Sequence, residues 1–357
     1  MDRHERALRV LHEGTVIPAI PLALDAERRF SEPWQRLLVR YYLAAGAGGI
    51  AVAVHTTQFA IRAPEHALFE PVLRVVSDEI RRWEAETGQA VVRISGVCGP
   101  EAQAVAEAET ARRLGYDAVL LSPSGLSALS EDALLARTRA VAQVLPVIGF
   151  YLQPAAGGRL LSAAYWRALC EMENLLAIKC ASFNRYSTLD VVRAAACSSR
   201  ADAITLYTGN DDNIVCDLLT PYRFAQDGRV YTKRFQGGLL GHWAVWTHAA
   251  ADLLRGIRQG AGDPHIEAAT LTVAAEVTDM NAVVFDAAHG FAGCIPGIHE
   301  VLRRQGLMQG IWCLDPAEVL SPGQAEELDR VCAMYPHLVD DAFVREHLAA
   351  WKAAVGL

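Results

Sequence analysis

Apolar, strand-like runs recur along this chain, starting near Val16, Gly49, Ala90, Asp117, Val147, Leu175, Ala203 and Phe235. Successive starts lie 27 to 41 residues apart, about the length of one strand-plus-helix unit. Amphipathic segments fill the gaps, among them Pro33–Ala45, Glu70–Glu86, Pro100–Leu114, Ser130–Val144, Ala163–Glu171 and Tyr186–Ala196. A chain that alternates in this way builds a parallel sheet, because each strand needs a crossover to return in the same direction. Eight such units predict a closed (β/α)8 TIM barrel over residues 1–258.

The rest of the chain, residues 259–357, predicts a C-terminal helical extension. Helical patterns cover His265–Thr278, Ile298–Gly306, Gly323–Met334 and Asp341–Ala354, and no strand pattern recurs there. Helix entry signals agree with the repeat. Pro33 follows Ser31-Glu32 at a first turn, and Ser130 precedes Glu131 and Asp132, whose charges suit a helix N-terminus. The polar stretch Tyr222–Arg234 falls where a short helix-to-strand loop is due, and it predicts an inserted hairpin turning at Asp227-Gly228.

Composition removes several function classes. The 357 residues are 52% hydrophobic, yet the apolar runs, such as Val16–Leu24 and Gly49–Val54, are only strand-sized. A membrane span is therefore not expected. The opening Met1-Asp2-Arg3-His4-Glu5-Arg6 lacks the basic and apolar regions of a secretion signal. Eight scattered cysteines without a CxxC pair read as reduced thiols, so a cytoplasmic location is expected. A net charge of −8 disfavours a nucleic-acid partner. No HExxH or His/Cys cluster points to a metal, and no GxGxxG or P-loop points to a nucleotide.

In a barrel of this type the site lies at the C-terminal ends of the strands. Lys179 ends the run Asn174–Cys180, and a lysine there is costly unless it is paired or working. Tyr151 stands 28 residues earlier, at the end of Val147-Ile148-Gly149-Phe150. Strand side chains alternate. If Lys179 and Tyr151 point inward, so do the small Ala177 and Gly149, while Ile178 and Phe150 face the helices. His55-Thr56-Thr57 follows another strand and offers two hydroxyls for a carboxylate. Thr208 is followed by Gly209-Asn210-Asp211-Asp212, where glycine permits close approach and the acids accept bonds from hydroxyl groups. A free lysine is neutral in only about 1 molecule in 2,500 at pH 7. Burial lowers its pKa and makes it a nucleophile able to form a Schiff base.

These strand ends resemble the dihydrodipicolinate synthase/N-acetylneuraminate lyase family. Val54-His55-Thr56-Thr57 is similar to its G-T-T-G-E segment, Tyr151-Leu152-Gln153-Pro154 to its Y-N-x-P turn, and Ala177-Ile178-Lys179 to its G-x-K strand. The resemblance implies that Lys179 attacks the ketone of a 2-oxo acid, pyruvate or a pyruvate-derived unit. It implies Tyr151 as proton carrier, Thr56 as its relay, Thr57 as carboxylate holder, and Gly209 and Asp211 as substrate contacts. It implies no cofactor and no metal, and a homo-oligomer, dimer or tetramer.

The departures narrow this. Gln58-Phe59 replaces the family's Gly-Glu, and Ser122-Pro123-Ser124-Gly125 lacks the second tyrosine of the synthases' Thr-Pro-Tyr-Tyr. Ala156 stands where the synthases place an aldehyde-binding arginine. Dihydrodipicolinate synthase activity is therefore not expected. The expected function is a Schiff-base lyase or aldolase. A dehydratase that eliminates water from the same ketimine, and a silent barrel that only binds a metabolite, remain alternatives.

Overall fold

The computed structural model describes residues 1–357 apart from 155, 156, 261 and 264. Barrel strands β1 (Val16–Pro18), β2 (Gly49–Val52), β3 (Val92–Val97), β4 (Ala118–Leu121), β5 (Val147–Leu152), β6 (Leu175–Ala181) and β7 (Thr205–Thr208) come first. A hairpin, β8 (Tyr222–Gln226) and β9 (Arg229–Lys233), precedes the last barrel strand, β10 (Phe235–Leu240). The barrel sheet runs in the order β1-β10-β7-β6-β5-β4-β3-β2, and a parallel bridge from Ala19 to Ala51 joins its two ends. The protein is thus a nearly closed (β/α)8 barrel with a C-terminal helical region, as the spacing of its apolar runs predicts.

The helices are α1 (Arg3–Glu13), α2 (Glu32–Ala44), α3 (Phe69–Thr87), α4 (Glu101–Arg113), α5 (Glu131–Ala142), α6 (Ala163–Cys170), α7 (Arg185–Cys197), α8 (Ile214–Leu219) and α9 (Thr247–Gln259). The C-terminal region adds α10 (Ala268–Val284), α11 (Cys294–Arg304), α12 (Gln324–Met334) and α13 (Asp341–Val355). The chain forms two compact units, Met1–Thr15 with Val92–Leu239, and Val16–Val91 with Leu240–Leu357.

In the first unit, helix entries follow the caps written in the sequence. Ser130, Ser162 and Asn184 accept backbone N–H bonds at the starts of α5, α6 and α7. The predicted hairpin is present, with Tyr222 opposite Lys233 and Gln226 opposite Arg229. Its turn residues Asp227 and Gly228 both take positive φ, 50° and 74°, as a tight hairpin turn requires. The hairpin packs on α7, where the Arg193 guanidinium lies 5.4 Å from the Phe224 ring centroid.

In the second unit the C-terminal helices appear close to where the pattern places them, although α10 runs on past Thr278. Helix α13 packs on α2. The Tyr41 and Trp351 rings are 5.9 Å apart, and the Tyr41 hydroxyl donates to Asp340 at 2.7 Å. No helix among the described residues is long and apolar enough to cross a membrane.

Candidate active site

The site is anchored by the pairing of β5 with β6. At its base Val147 is level with Leu175, an offset of 28 residues. The next pair is Ile148 with Ala177, so Leu176 is passed over. From there the offset is 29, which pairs Phe150 with Lys179 and Tyr151 with Cys180. A one-residue slip exchanges the two faces of a strand.

The side chains follow the slip. The Lys179 amine lies 4.7 Å from the centroid of the Phe150 ring. The Tyr151 ring lies 5.0 Å from that of Trp166 on α6, and Tyr151 is only 2% exposed. Its register partner Cys180 reaches Thr188 on α7. A Cβ on Gly149 would come within 3.0 Å of Leu169 on α6. The expected orientations are therefore corrected at three positions. Tyr151 and Gly149 face the helices, and Phe150 shares the face of Lys179. Ala177 keeps its expected place, because it alternates with Lys179 along β6.

Strand β7 supplies the other wall. Lys179 is level with Tyr207, and Cys180 with Thr208. A Cβ on Gly209 would lie 2.6 Å from Cε and 3.0 Å from Cγ of Lys179. The lysine stem therefore crosses the space that any other residue at 209 would fill. Lys179 is 9% exposed. Burial pushes its ammonium down to about 8, and the charge of Asp211 pulls the other way. At that value about one amine in ten is neutral at pH 7, against about 1 in 2,500 for a free lysine. Asp211 is itself buried, at 5% exposure.

Beneath this loop lies a carboxylate that the sequence reading does not single out. Asp217 on α8 is fully buried and accepts from Thr208 at 2.7 Å, Asn210 at 2.8 Å, Asn213 at 3.1 Å, Tyr222 at 3.1 Å and Arg185 at 2.5 Å. A signal exists in retrospect, since Asp217 interrupts the apolar run Ile214–Leu219, and a charge so placed needs partners. Asp212 is held above the usual carboxylate range by burial, against the opposing pull of Arg185.

The second unit holds the predicted threonines, on a single 3-10 turn just past β2. Thr56 donates its hydroxyl to Ala19 O at 2.7 Å, and Thr57 donates to Ile20 O at 2.7 Å. The Thr57 N–H donates to Val54 O. Thr57 thus has both its hydroxyl and its N–H engaged with backbone oxygens. Gln58 follows with a positive φ of 67°, and its Oε1 accepts from the Leu314 N–H at 2.6 Å. Ala156, the position of the synthases' arginine, lies outside the described residues. Among the described residues no group of three or more His, Cys, Asp or Glu side chains is arranged to hold a metal ion.

No family model matches the sequence. A 4-hydroxy-tetrahydrodipicolinate synthase from Desulforudis audaxviator is 29% identical over 208 residues, which cover 58% of this chain and 66% of that relative. The match thus spans just under two thirds of the relative's length. A crystal structure of dihydrodipicolinate synthase from Oceanobacillus iheyensis superposes with a TM-score of 0.72 at 18% identity, covering 94% of this chain and 99% of that one. The N-acetylneuraminate lyase of Fusobacterium nucleatum, solved in complex with pyruvate, gives a TM-score of 0.69 at 16% identity over 91% of this chain and 97% of that one. At these identities the superpositions speak for the barrel and its C-terminal helices.

Proposed function

We propose that the chain is a member of the dihydrodipicolinate synthase/N-acetylneuraminate lyase family and that it is a lyase or aldolase acting on a 2-oxo acid through a ketimine on Lys179. The observation that carries the reading is the setting of the amine. It is buried at the C-terminal end of a barrel strand, lowered to about 8, and given passage by the missing side chain of Gly209. Pyruvate, the ligand of the Fusobacterium nucleatum lyase structure, is the substrate unit assigned here.

The chemistry follows from the amine. Its lone pair attacks C2 of the 2-oxo acid, and loss of water leaves an iminium. That cation draws electrons from the C3–C4 bond of a 4-hydroxy substrate. The bond breaks as the C4 hydroxyl gives up its proton, so that C4 leaves as an aldehyde and C3 becomes part of an enamine. Protonation at C3 and hydrolysis release pyruvate and restore the lysine. The face of the Phe150 ring beside the nitrogen favours the cationic iminium, since a ring face attracts positive charge.

The test is reductive trapping. Incubation with pyruvate and borohydride should add the mass of the reduced adduct at Lys179, and Lys179→Ala should abolish it. No adduct with pyruvate or a panel of 2-oxo acids would sink the reading. Given an adduct, release of pyruvate from 4-hydroxy-2-oxo acids identifies a lyase. Loss of water with the carbon chain intact identifies a dehydratase instead.

A further inference from the structure

We propose that α1 is a working part of the site, a plug that closes the barrel beneath Lys179 and keeps water from the amine, with Tyr207 as the positioning residue between them. The inference rests on the Lys179 reading above and adds a segment that lies before the first strand of the barrel.

Three observations carry it. The first is how α1 is fastened. At its start Arg3 and His4 reach the Asp117 carboxylate at 2.5 and 2.8 Å. Asp117 directly precedes β4, is 1% exposed and also accepts from the Arg93 N–H. At the other end His12 meets the hydroxyl of Thr205, the first residue of β7, at 3.2 Å. The chain leaving α1 then runs against β10, where a Cβ on Gly237 would lie 2.3 Å from Thr15 O. The helix therefore crosses under the N-terminal ends of β4, β7 and β10. Its buried residues Ala7 and Leu11, four apart, share one face.

The second observation is the path of Tyr207. It is level with Lys179 on the neighbouring strand, so both side chains leave the sheet on the same side. Its hydroxyl donates to Leu11 O of α1 at 2.7 Å. One side chain thus links the level of the lysine to the helix. The third is the smallness of the positions around that ring. Gly237 is level with Tyr207 on β10, and a Cβ there would come within 3.0 Å of the ring. Ala177, two residues before Lys179 on β6, carries only a methyl group. Barrel interiors are filled by stacked layers of side chains. On this side the filling comes from the Tyr207 ring and from α1 below it.

The consequence falls on the amine. Burial is what lowers Lys179, and part of that burial comes from below. If α1 lifts, water reaches the underside of the site and the amine returns toward its ordinary, protonated state.

Loosening α1 tests this. Arg3→Met with Tyr207→Phe, and Asp117→Asn with Tyr207→Phe, each cut a tie at both ends of the helix. Phe150 and Asp211, which act on the charge of the amine, are the same in both variants. Competitive labelling with acetic anhydride across pH, read by mass spectrometry, gives the titration midpoint of Lys179 without any substrate. Amide exchange shows whether α1 is released while the barrel strands stay protected. With α1 released, the midpoint should rise from about 8 toward 10.5. A rise of about one pH unit or more should slow pyruvate trapping at pH 7 about tenfold or more, with recovery at higher pH. The two variants remove charges of opposite sign, so a mere field effect would move their midpoints in opposite directions. Ala7→Asp puts a charge on the buried face and should release the helix if both variants leave it docked. A released α1 with an unmoved midpoint overturns the inference. So do midpoints that move in opposite directions, or an α1 that stays protected in all three variants. A wild-type protein that forms no pyruvate adduct removes the Schiff-base reading, and the labelling midpoint still decides the role of α1.

Discussion

Phe150 and Lys179 are register partners on adjacent parallel strands, and the amine stands 4.7 Å from the centre of the aromatic ring. The nitrogen that the proposed reaction turns into a cation is thus already beside a surface that attracts cations. Burial and the ring act in opposite directions on its charge. Burial favours the neutral nucleophile, and the ring favours the ammonium and the later iminium.

Phe150→Leu should therefore lower the pH at which Lys179 becomes reactive. A cation–π contact of about 0.5–2 kcal/mol corresponds to roughly 0.4–1.5 pH units. The midpoint of the trapping rate against pH, expected near 8 in the wild type, should fall by that amount. A midpoint that stays or rises would show that the ring does not stabilise the charged amine.

Tyr151→Phe removes only a hydroxyl, and the ring contact with Trp166 survives. With Tyr151 on the helix-facing side of β5, the trapping rate should remain within about threefold of wild type. A loss of about 10²–10⁴-fold, the usual range for a general acid–base group, would make Tyr151 the proton carrier that the resemblance implies.

Gly209→Ala places a methyl group 2.6 Å from Cε of Lys179 and 2.9 Å from Cβ of Ala181. The lysine must move. Trapping should slow by at least tenfold, and overpacking should cost about 1–3 kcal/mol in denaturant unfolding. Wild-type values for both would mean that the lysine stem has another path.

Lys179→Met should abolish trapping and stabilise the fold. The folded-state pKa, about 8, lies below the reference value of 10.5. The unfolded chain therefore binds more protons between those values, and wild-type stability rises with pH across that window. Below about pH 8 the penalty is fully present, and the methionine variant should gain on the order of 1–3 kcal/mol at pH 7. The gain should shrink as pH rises toward 10.5. Denaturant titrations of both proteins at pH 7 and pH 10 measure it, and a constant gain would assign the effect to packing.

Periodicity carries most of the barrel. The strand starts, the C-terminal helices and the hairpin at Asp227-Gly228 all follow from local patterns of apolar residues and turn formers. Lys179 is legible for the same reason, since a charge at the end of an apolar strand has to be explained. Tyr151 shows where such reading stops. Its 28-residue distance from Lys179 equals the offset at the base of the two strands, and only the passing over of Leu176 turns it away. No residue type marks that event, because it is settled by how two strands seat against each other. The charge of Asp217 in an apolar run is visible, but most of its partners, like those of the engaged donors of Thr57, lie on other elements and are not.

The buried carboxylate of Asp217 has a further consequence, for motion. It is shared by the end of β7, the entry to α7, the first turn of α8 and the root of the hairpin at Tyr222. Local opening of any one of these strands the charge for all of them, so they should breathe as one cooperative segment, and amide exchange there should follow a common rate. The inserted hairpin is thereby coupled to the floor beneath Gly209 and Asp211. Its length and sequence are not free to drift like those of an ordinary surface loop, because slack at Tyr222 is paid in the rigidity of the wall that holds the lysine.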